Sequence, residues 1–178
     1  MTRKRAYAGI ALKLATGFLV PGLAVAATFA DWEESTDRAG SFWSAATVNG
    51  SQEVFGQWCY ADKGTCIWLI GMTTRCHKGK TYPVVANSDV GAVQLEVQCL
   101  GKLEVTGAFE LAFTNFDDVD HLARRASRVG FAIPLQGDQF RVARFSLSGA
   151  VRALTAMRGA AGSASAKIKK QRAQSETL

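Results

Sequence analysis

The chain lacks several features by which common protein classes are recognised. No uncharged apolar run reaches the roughly 18 to 20 residues that a membrane-spanning helix needs. The sequence holds no glycine-rich phosphate loop, no H-E-x-x-H pair and no Rossmann fingerprint. Its 178 residues are also too few for a TIM barrel, which takes about 250. We therefore predict one domain with short extensions and no cofactor.

Positive charge is concentrated at the two ends of the chain, whose formal net charge is +6. The first 26 residues hold four basic residues and no acid, and the last 20 hold four basic residues and one acid. Residues 27–158 carry 13 basic and 14 acidic residues, so the body is almost neutral. A neutral body offers no broad phosphate-binding surface, and we predict no specific nucleic-acid partner.

Residues 1–26 are predicted to be a signal peptide. Residues 1–13 are basic, residues 14–20 are mostly apolar, and Pro21-Gly22 ends any helix that the apolar segment forms. This arrangement predicts export to the periplasm or secretion, with no transmembrane span in the mature chain.

The cleavage site is predicted between Ala26 and Ala27. Signal peptidase prefers small residues before its cut, and Ala24 and Ala26 supply them. A cut after Ala30 is the alternative.

All four cysteines follow this site, and an even number in an oxidising compartment indicates two disulfides. A metal site that adds His77 to three of them is the competing interpretation, but no C-x-x-C pair supports it, and we predict no metal. Three pairings are possible. The candidates are Cys59, Cys66, Cys76 and Cys99.

A hairpin predicted around Asp62-Lys63-Gly64 bears on that pairing. If Ala61 pairs with Thr65, Cys59 and Cys66 point to opposite faces, because side chains alternate along a strand. This register disfavours a Cys59–Cys66 bond and leaves Cys66–Cys99 and Cys76–Cys99 open.

The hydrophobic pattern predicts a mainly β fold, a small β-sandwich-like antiparallel domain with two short helices. Residues 42–158 form this single domain, residues 27–41 lead into it as a loop or short helix, and residues 159–178 are a disordered basic tail. The four tryptophans are expected in the core. The helices are expected at 118–128, capped by Asn115 or Asp117, and at 149–157, capped by Ser148.

Few residues suggest catalysis. The segment Ser146–Gly149 is not a G-x-S-x-G elbow, and the base of a hydrolase would have to be His77 or His121. The acids near His121, between Asn115 and Asp120, are interpreted as complements to a helix dipole rather than as a cation site. We predict no catalytic residues.

Arg124, Arg125 and Arg128 are expected to cluster on the first helix. The ordinary interpretation is that these arginines are simply solvated at the surface. The more specific hypothesis is that they bind an anionic surface together with the basic tail.

The second half of the chain resembles the invasion-associated locus B family of exported bacterial proteins. The resemblance lies in a strand ending in Cys99, the helix at 118–128, the strand from Gly130 to Pro134 and the closing segment 145–150, and it extends weakly back to residue 42. It implies a small β-sandwich-like domain with cysteine pairs, and a non-enzymatic protein of the bacterial envelope that associates with host cells in some pathogens.

Two departures from the family pattern affect what it implies. Family members place another cysteine shortly after the position of Cys99, where residues 100–103 hold none, and Ala150 replaces an aromatic residue. The family supplies no catalytic residues.

We expect an exported, disulfide-stabilised, non-catalytic envelope or host-interaction protein, whose partner is a protein or an envelope component. A periplasmic hydrolase using His77 or His121, or an accessory subunit of an envelope or secretion assembly, is the alternative.

Overall fold

The computed structural model describes residues 23–37, 39–104, 106–134 and 140–175. Most of the predicted signal peptide, residues 1–22, lies outside this part of the chain.

The described residues form a mainly β fold, as predicted. Ten strands are followed or interrupted by two helices, and the order along the chain is β1 (Leu23–Phe29), β2 (Trp32–Asp37), β3 (Phe42–Val48), β4 (Val54–Tyr60), β5 (Thr65–Met72), β6 (Thr81–Ser88), β7 (Gly91–Lys102), β8 (Phe109–Phe113), α1 (Phe116–Arg125), β9 (Arg128–Pro134), β10 (Phe140–Ser146) and α2 (Ala150–Ser175).

All ten strands belong to one antiparallel sheet, in the order β1-β2-β3-β4-β5-β8-β7-β6-β9-β10. The sheet stays open between β1 and β10 but curls until its ends face each other. Phe55 of β4 lies 4.9 Å from Phe131 of β9 and 5.6 Å from Phe145 of β10, measured between ring centroids. Arg141 of β10 reaches the buried Glu53, with 2.7 Å between Nη2 and Oε1. The curled sheet thereby builds the two layers of a sandwich.

The core lies on the inward face of this sheet. Side chains alternate along each strand, so every second residue points inward. Trp32 and Trp68 are fully buried there and meet Phe55, with Trp68 stacked on it at 5.2 Å. Such aromatic contacts each add about 0.5–1.5 kcal/mol to the area they bury. This cluster joins β2, β4 and β5 to β9 and β10.

The expectation of a lead-in segment at residues 27–41 is wrong. Residues of this segment form much of β1 and β2, and the indole of Trp32 donates a hydrogen bond to the carbonyl of Ser146, 114 residues away. The acidic residues Glu33 and Glu34 weakened the strand signal, since carboxylates are uncommon in strands. Packing of Trp32 outweighs that preference.

The expectation of a disordered tail is also wrong for residues 159–175. Helix α2 continues through them to Ser175 and is anchored by buried residues as far as Ala161. Beyond Ala161 the sequence is rich in Ala, Lys, Gln and Arg, which are strong helix formers. Gly159 and Gly162 suggested an end, but each costs a helix only about 1 kcal/mol.

Helix α1 exists as predicted but begins and ends two or three residues earlier, at Phe116 and Arg125. Its apolar stripe, Val119, Leu122 and Ala123, is buried. Arg128 lies in β9 instead of on the helix.

Candidate functional site

The four cysteines form two disulfides, Cys59–Cys66 and Cys76–Cys99, so the number of bonds is as predicted. The argument against Cys59–Cys66 is wrong. Tyr60 pairs with Thr65, which sets the two cysteines directly opposite each other on adjacent strands. The turn therefore contains four residues instead of three, with Gly64 at a φ of 66°. Cys76–Cys99 was one of the two alternatives left open, and Cys66–Cys99 is excluded.

A buried polar network ties both helices to the sheet. Gln57 of β4 is fully buried, and its Oε1 accepts a hydrogen bond from Arg158 Nε of α2 at 2.7 Å. Arg158 also pairs with Asp120 of α1, whose second oxygen accepts from Arg124 Nε at 2.8 Å. Burial acts to raise the pKa of Asp120, but the hydrogen bonds and charges of the two guanidinium groups hold it below its ordinary value. One carboxylate thus links α1 to α2.

Three buried N–H donors in or near this network have no hydrogen-bond acceptor in the described part of the protein: Trp43 Nε1, Gln57 Nε2 and Trp68 Nε1. Gln57 lies opposite Trp68 across the β4–β5 ladder. Each such donor costs about 1–3 kcal/mol when it stays unpaired. The inward side of β3 to β5 therefore holds unpaired N–H donors among the apolar side chains of the core.

A groove of about 320 Å³ opens beside this network, between α2 and the end of the β4–β5 hairpin. We call it the hairpin–helix groove. The hairpin borders it with Tyr60, Gly64 and Thr65 and with the Cys59–Cys66 disulfide. Helix α2 contributes Arg158, Ala161, Gly162, Ser165, Ala166 and Lys169.

A smaller cavity of about 80 Å³ lies near the other disulfide, between Cys76, His77 and Pro134. The main-chain N–H of His77 donates to the hydroxyl of Tyr82 at 3.0 Å. His121 lies elsewhere, on an exposed face of α1, with its Nε2 3.2 Å from Arg125 Nη1.

The acidic cluster at the start of α1 is divided among separate structural roles. Asp117 and Asp118 lie in the first turn, where acids complement the helix dipole. Asn115 occupies the N-cap position, but its Oδ1 accepts from the N–H of Glu96 at 2.8 Å and caps no helical N–H. Among the described residues no three His, Cys, Asp or Glu side chains are grouped to hold a metal ion.

The closing segment joins the end of β10 to the β1–β2 turn. The hydroxyl of Ser146 donates to Asp31 Oδ2 at 2.6 Å, and the N–H of Asp31 donates to the carbonyl of Ser148 at 3.2 Å. Gly149 has a φ of 91°, and a Cβ placed there would lie 1.8 Å from the carbonyl oxygen of Phe29. The segment Ser146–Gly149, considered above as a nucleophile elbow, therefore holds the end of β10 against the β1–β2 turn. We call these contacts between residues 146–149 and residues 29–31 the clasp.

Comparisons with known proteins give one structural relationship. No family model matches the sequence, and no curated protein matches it. The fold is similar to the crystal structure of invasion associated protein B from Bartonella henselae, with a TM-score of 0.50 and 14% identity over 74% of this chain and 94% of the other. At this identity the similarity concerns the fold alone.

Among the described residues, helix α1 has 10 residues and helix α2 has 26. Neither α1 nor α2 is long and apolar enough to cross a membrane.

Proposed function

We propose that the protein is an exported, non-catalytic component of a bacterial envelope, or a secreted protein that interacts with host cells. The observation that carries the proposal is the use of all four cysteines in two disulfides, on a fold similar to that of invasion associated protein B. Structural disulfides persist in oxidising compartments and are rare in the bacterial cytosol. The basic and apolar start of the chain supplies the matching export signal.

A distant relationship to the invasion-associated locus B family is part of this proposal. The elements that carried the sequence resemblance are β7 with Cys99, α1, β9 and the clasp around Gly149. The fold similarity covers 74% of this chain, more than the segment that carried the sequence resemblance.

Two observations support a non-catalytic role. The cysteine sulfurs are committed to disulfides, so they offer no thiol nucleophile, and the hydroxyl of Ser146 is committed to Asp31. His121 is next to a guanidinium group, which does not orient an imidazole as a general base.

Export is tested by producing the full chain in a Gram-negative host and measuring the mass and thiol content of the periplasmic product. We expect a mature chain that begins at Ala27 and has no free thiol until it is reduced. Replacing Ala26 by a bulky residue should block processing, and replacing the exposed Ala92 of β7 in the same way is the control outside the signal. Protein that keeps Met1 in the cytosol with four free thiols would refute export.

Catalysis is tested on the same material. Hydrolase substrates should show no turnover that depends on a histidine, and a rate that disappears in His77→Ala or His121→Ala would favour the enzyme alternative. Binding of the processed protein to host cells or to isolated envelopes should in contrast survive both substitutions.

A further inference from the structure

The hairpin–helix groove has a cation at each end. On α2 the lining positions follow one helical stripe from Arg158 to Lys169, which separates the two residues by about 16 Å along the helix axis. Thr65 and Ser165 add hydroxyl groups between them. No Asp or Glu is among the described residues that line the groove.

Two carboxylates outside the groove act on its border residues. Asp120 neutralises part of the charge of Arg158. Glu110 acts on Tyr60, whose pKa is raised first by burial and then by this charge. Lys169 has no ion pair in the described part of the chain, and its end of the groove therefore carries the uncompensated positive charge.

Gly162 keeps the middle of the groove open without serving the packing of the protein. A Cβ at this position would meet nothing within 4 Å, and its φ is not in the left-handed region. Glycine inside a helix costs about 1 kcal/mol relative to alanine. A larger side chain at position 162 would therefore be compatible with the helix and would fill the groove.

We propose that the hairpin–helix groove binds a phosphorylated sugar, with a phosphate held at the Lys169 end. Cations and hydroxyls recognise phosphate and sugar oxygens, and the small Ala and Gly surfaces admit the sugar ring. The volume suits a compact ligand of this size. The site goes beyond the proposed function and stands whether or not the protein is exported. The ligand's source is a free sugar phosphate or the headgroup of a phosphorylated glycolipid.

The test is calorimetric titration of the purified protein with fructose 1,6-bisphosphate as probe, using a matched pair of glycine variants. Gly162→Leu fills the groove, whereas Gly159→Leu makes the same change at an exposed position that does not line it. We expect Gly162→Leu to weaken binding by more than about tenfold, because the leucine side chain would occupy the space of the sugar ring, and Gly159→Leu to leave it within about twofold. Both variants should melt no lower than the parent, because Leu favours helix more than Gly does.

Charge is tested with Lys169→Gln, which should weaken the probe about tenfold and reduce the salt dependence of binding. Lys170→Gln, exposed and outside the groove, is its control. Equal losses from both variants, or from both glycine variants, would overturn the site.

Vesicles separate the two sources of the ligand. If the ligand is a headgroup, the protein should bind phosphatidylcholine vesicles that contain a phosphorylated glycolipid, and Gly162→Leu should weaken that binding. If the ligand is the free sugar phosphate, the protein should not bind these vesicles. Binding to phosphatidylglycerol vesicles that Gly162→Leu does not change, without binding of the sugar bisphosphate, would refute the groove and assign the affinity to the basic end of α2. Binding of neither probe would refute the proposal.

Discussion

Replacing Gly149 by alanine should destabilise the protein more than any other single methyl group added to a turn glycine. The residue lies at a φ of 91°, where a side chain costs about 1–2 kcal/mol. The added Cβ would also lie 1.8 Å from the carbonyl oxygen of Phe29, so β1 or α2 has to move.

That movement separates the β1–β2 turn from the segment Ser146–Gly149. It weakens the hydrogen bonds from Asp31 N–H to Ser148 O, from Ser146 Oγ to Asp31 and from Trp32 Nε1 to Ser146 O. At about 0.5–1.5 kcal/mol each, and with the strain, the total loss is about 3–6 kcal/mol. The melting temperature should fall by about 6–24 °C, since one kcal/mol shifts a chain of this size by about 2–4 °C.

Gly79→Ala is the matched control, measured by urea denaturation beside Gly149→Ala. Gly79 has a φ of 81°, and a Cβ there meets nothing within 4 Å, so it shows the backbone strain alone. If Gly149→Ala costs no more than Gly79→Ala, then the first two strands do not pack against the start of α2, and the clasp is wrong.

Four further predictions concern the rest of the molecule. Replacing both cysteines of Cys59–Cys66 by alanine should lower the free energy of unfolding by about 2.5 kcal/mol, and replacing both cysteines of Cys76–Cys99 should lower it by about 3.5 kcal/mol, because the second bond closes the longer loop. Urea denaturation under oxidising conditions measures both losses, and a larger loss for the Cys59–Cys66 variant would contradict the pairing. Glu34→Gln should stabilise the protein at neutral pH, since burial raises the pKa of Glu34 and the charged form is disfavoured as pH rises through that value; an unchanged melting temperature at pH 7 would contradict this. Asp120 has a lowered pKa, so its contribution is present above the ordinary pKa of an aspartate and is lost as pH falls through the folded value; stability measured between neutral and acidic pH should fall less steeply in Asp120→Asn. Deleting residues 167–178 should change stability by less than about 1 kcal/mol, whereas deletion from 159 should cost more because it removes the buried Ala161.

The sequence predicted those elements that are determined by residues close to one another along the chain. Alternation from Val93 to Cys99 predicts the half-buried strand β7, and Val119, Leu122 and Ala123 predict the buried stripe of α1. Turn signals at Asn49-Gly50 and Gly64 correctly separate β3, β4 and β5. These features depend on neighbours within a few residues.

The errors arose where distant contacts or one residue of register decide the structure. Trp32 becomes a core residue because β10, far along the chain, supplies its hydrogen-bond acceptor. The hairpin turn differs from the expected one by a single residue, which is enough to turn Cys59 toward Cys66. The hairpin–helix groove also escaped prediction, because Gly162 and Lys169 were assigned to a tail and only the continuous α2 brings them beside Thr65.

The clasp also sets the order in which the chain completes its fold. Trp32 and Phe29 are synthesised early, but the groups that cover them, the carbonyl of Ser146 and the start of α2, come more than 110 residues later. Contacts between such distant residues slow folding, because the loop between them is closed before they contribute. In a nascent chain, the packing of β1 and β2 therefore stays incomplete until residues 146–149 have been synthesised. In the proposed export, in which the chain would cross a membrane as an extended polypeptide, this delay would keep it unfolded until α2 has emerged on the other side.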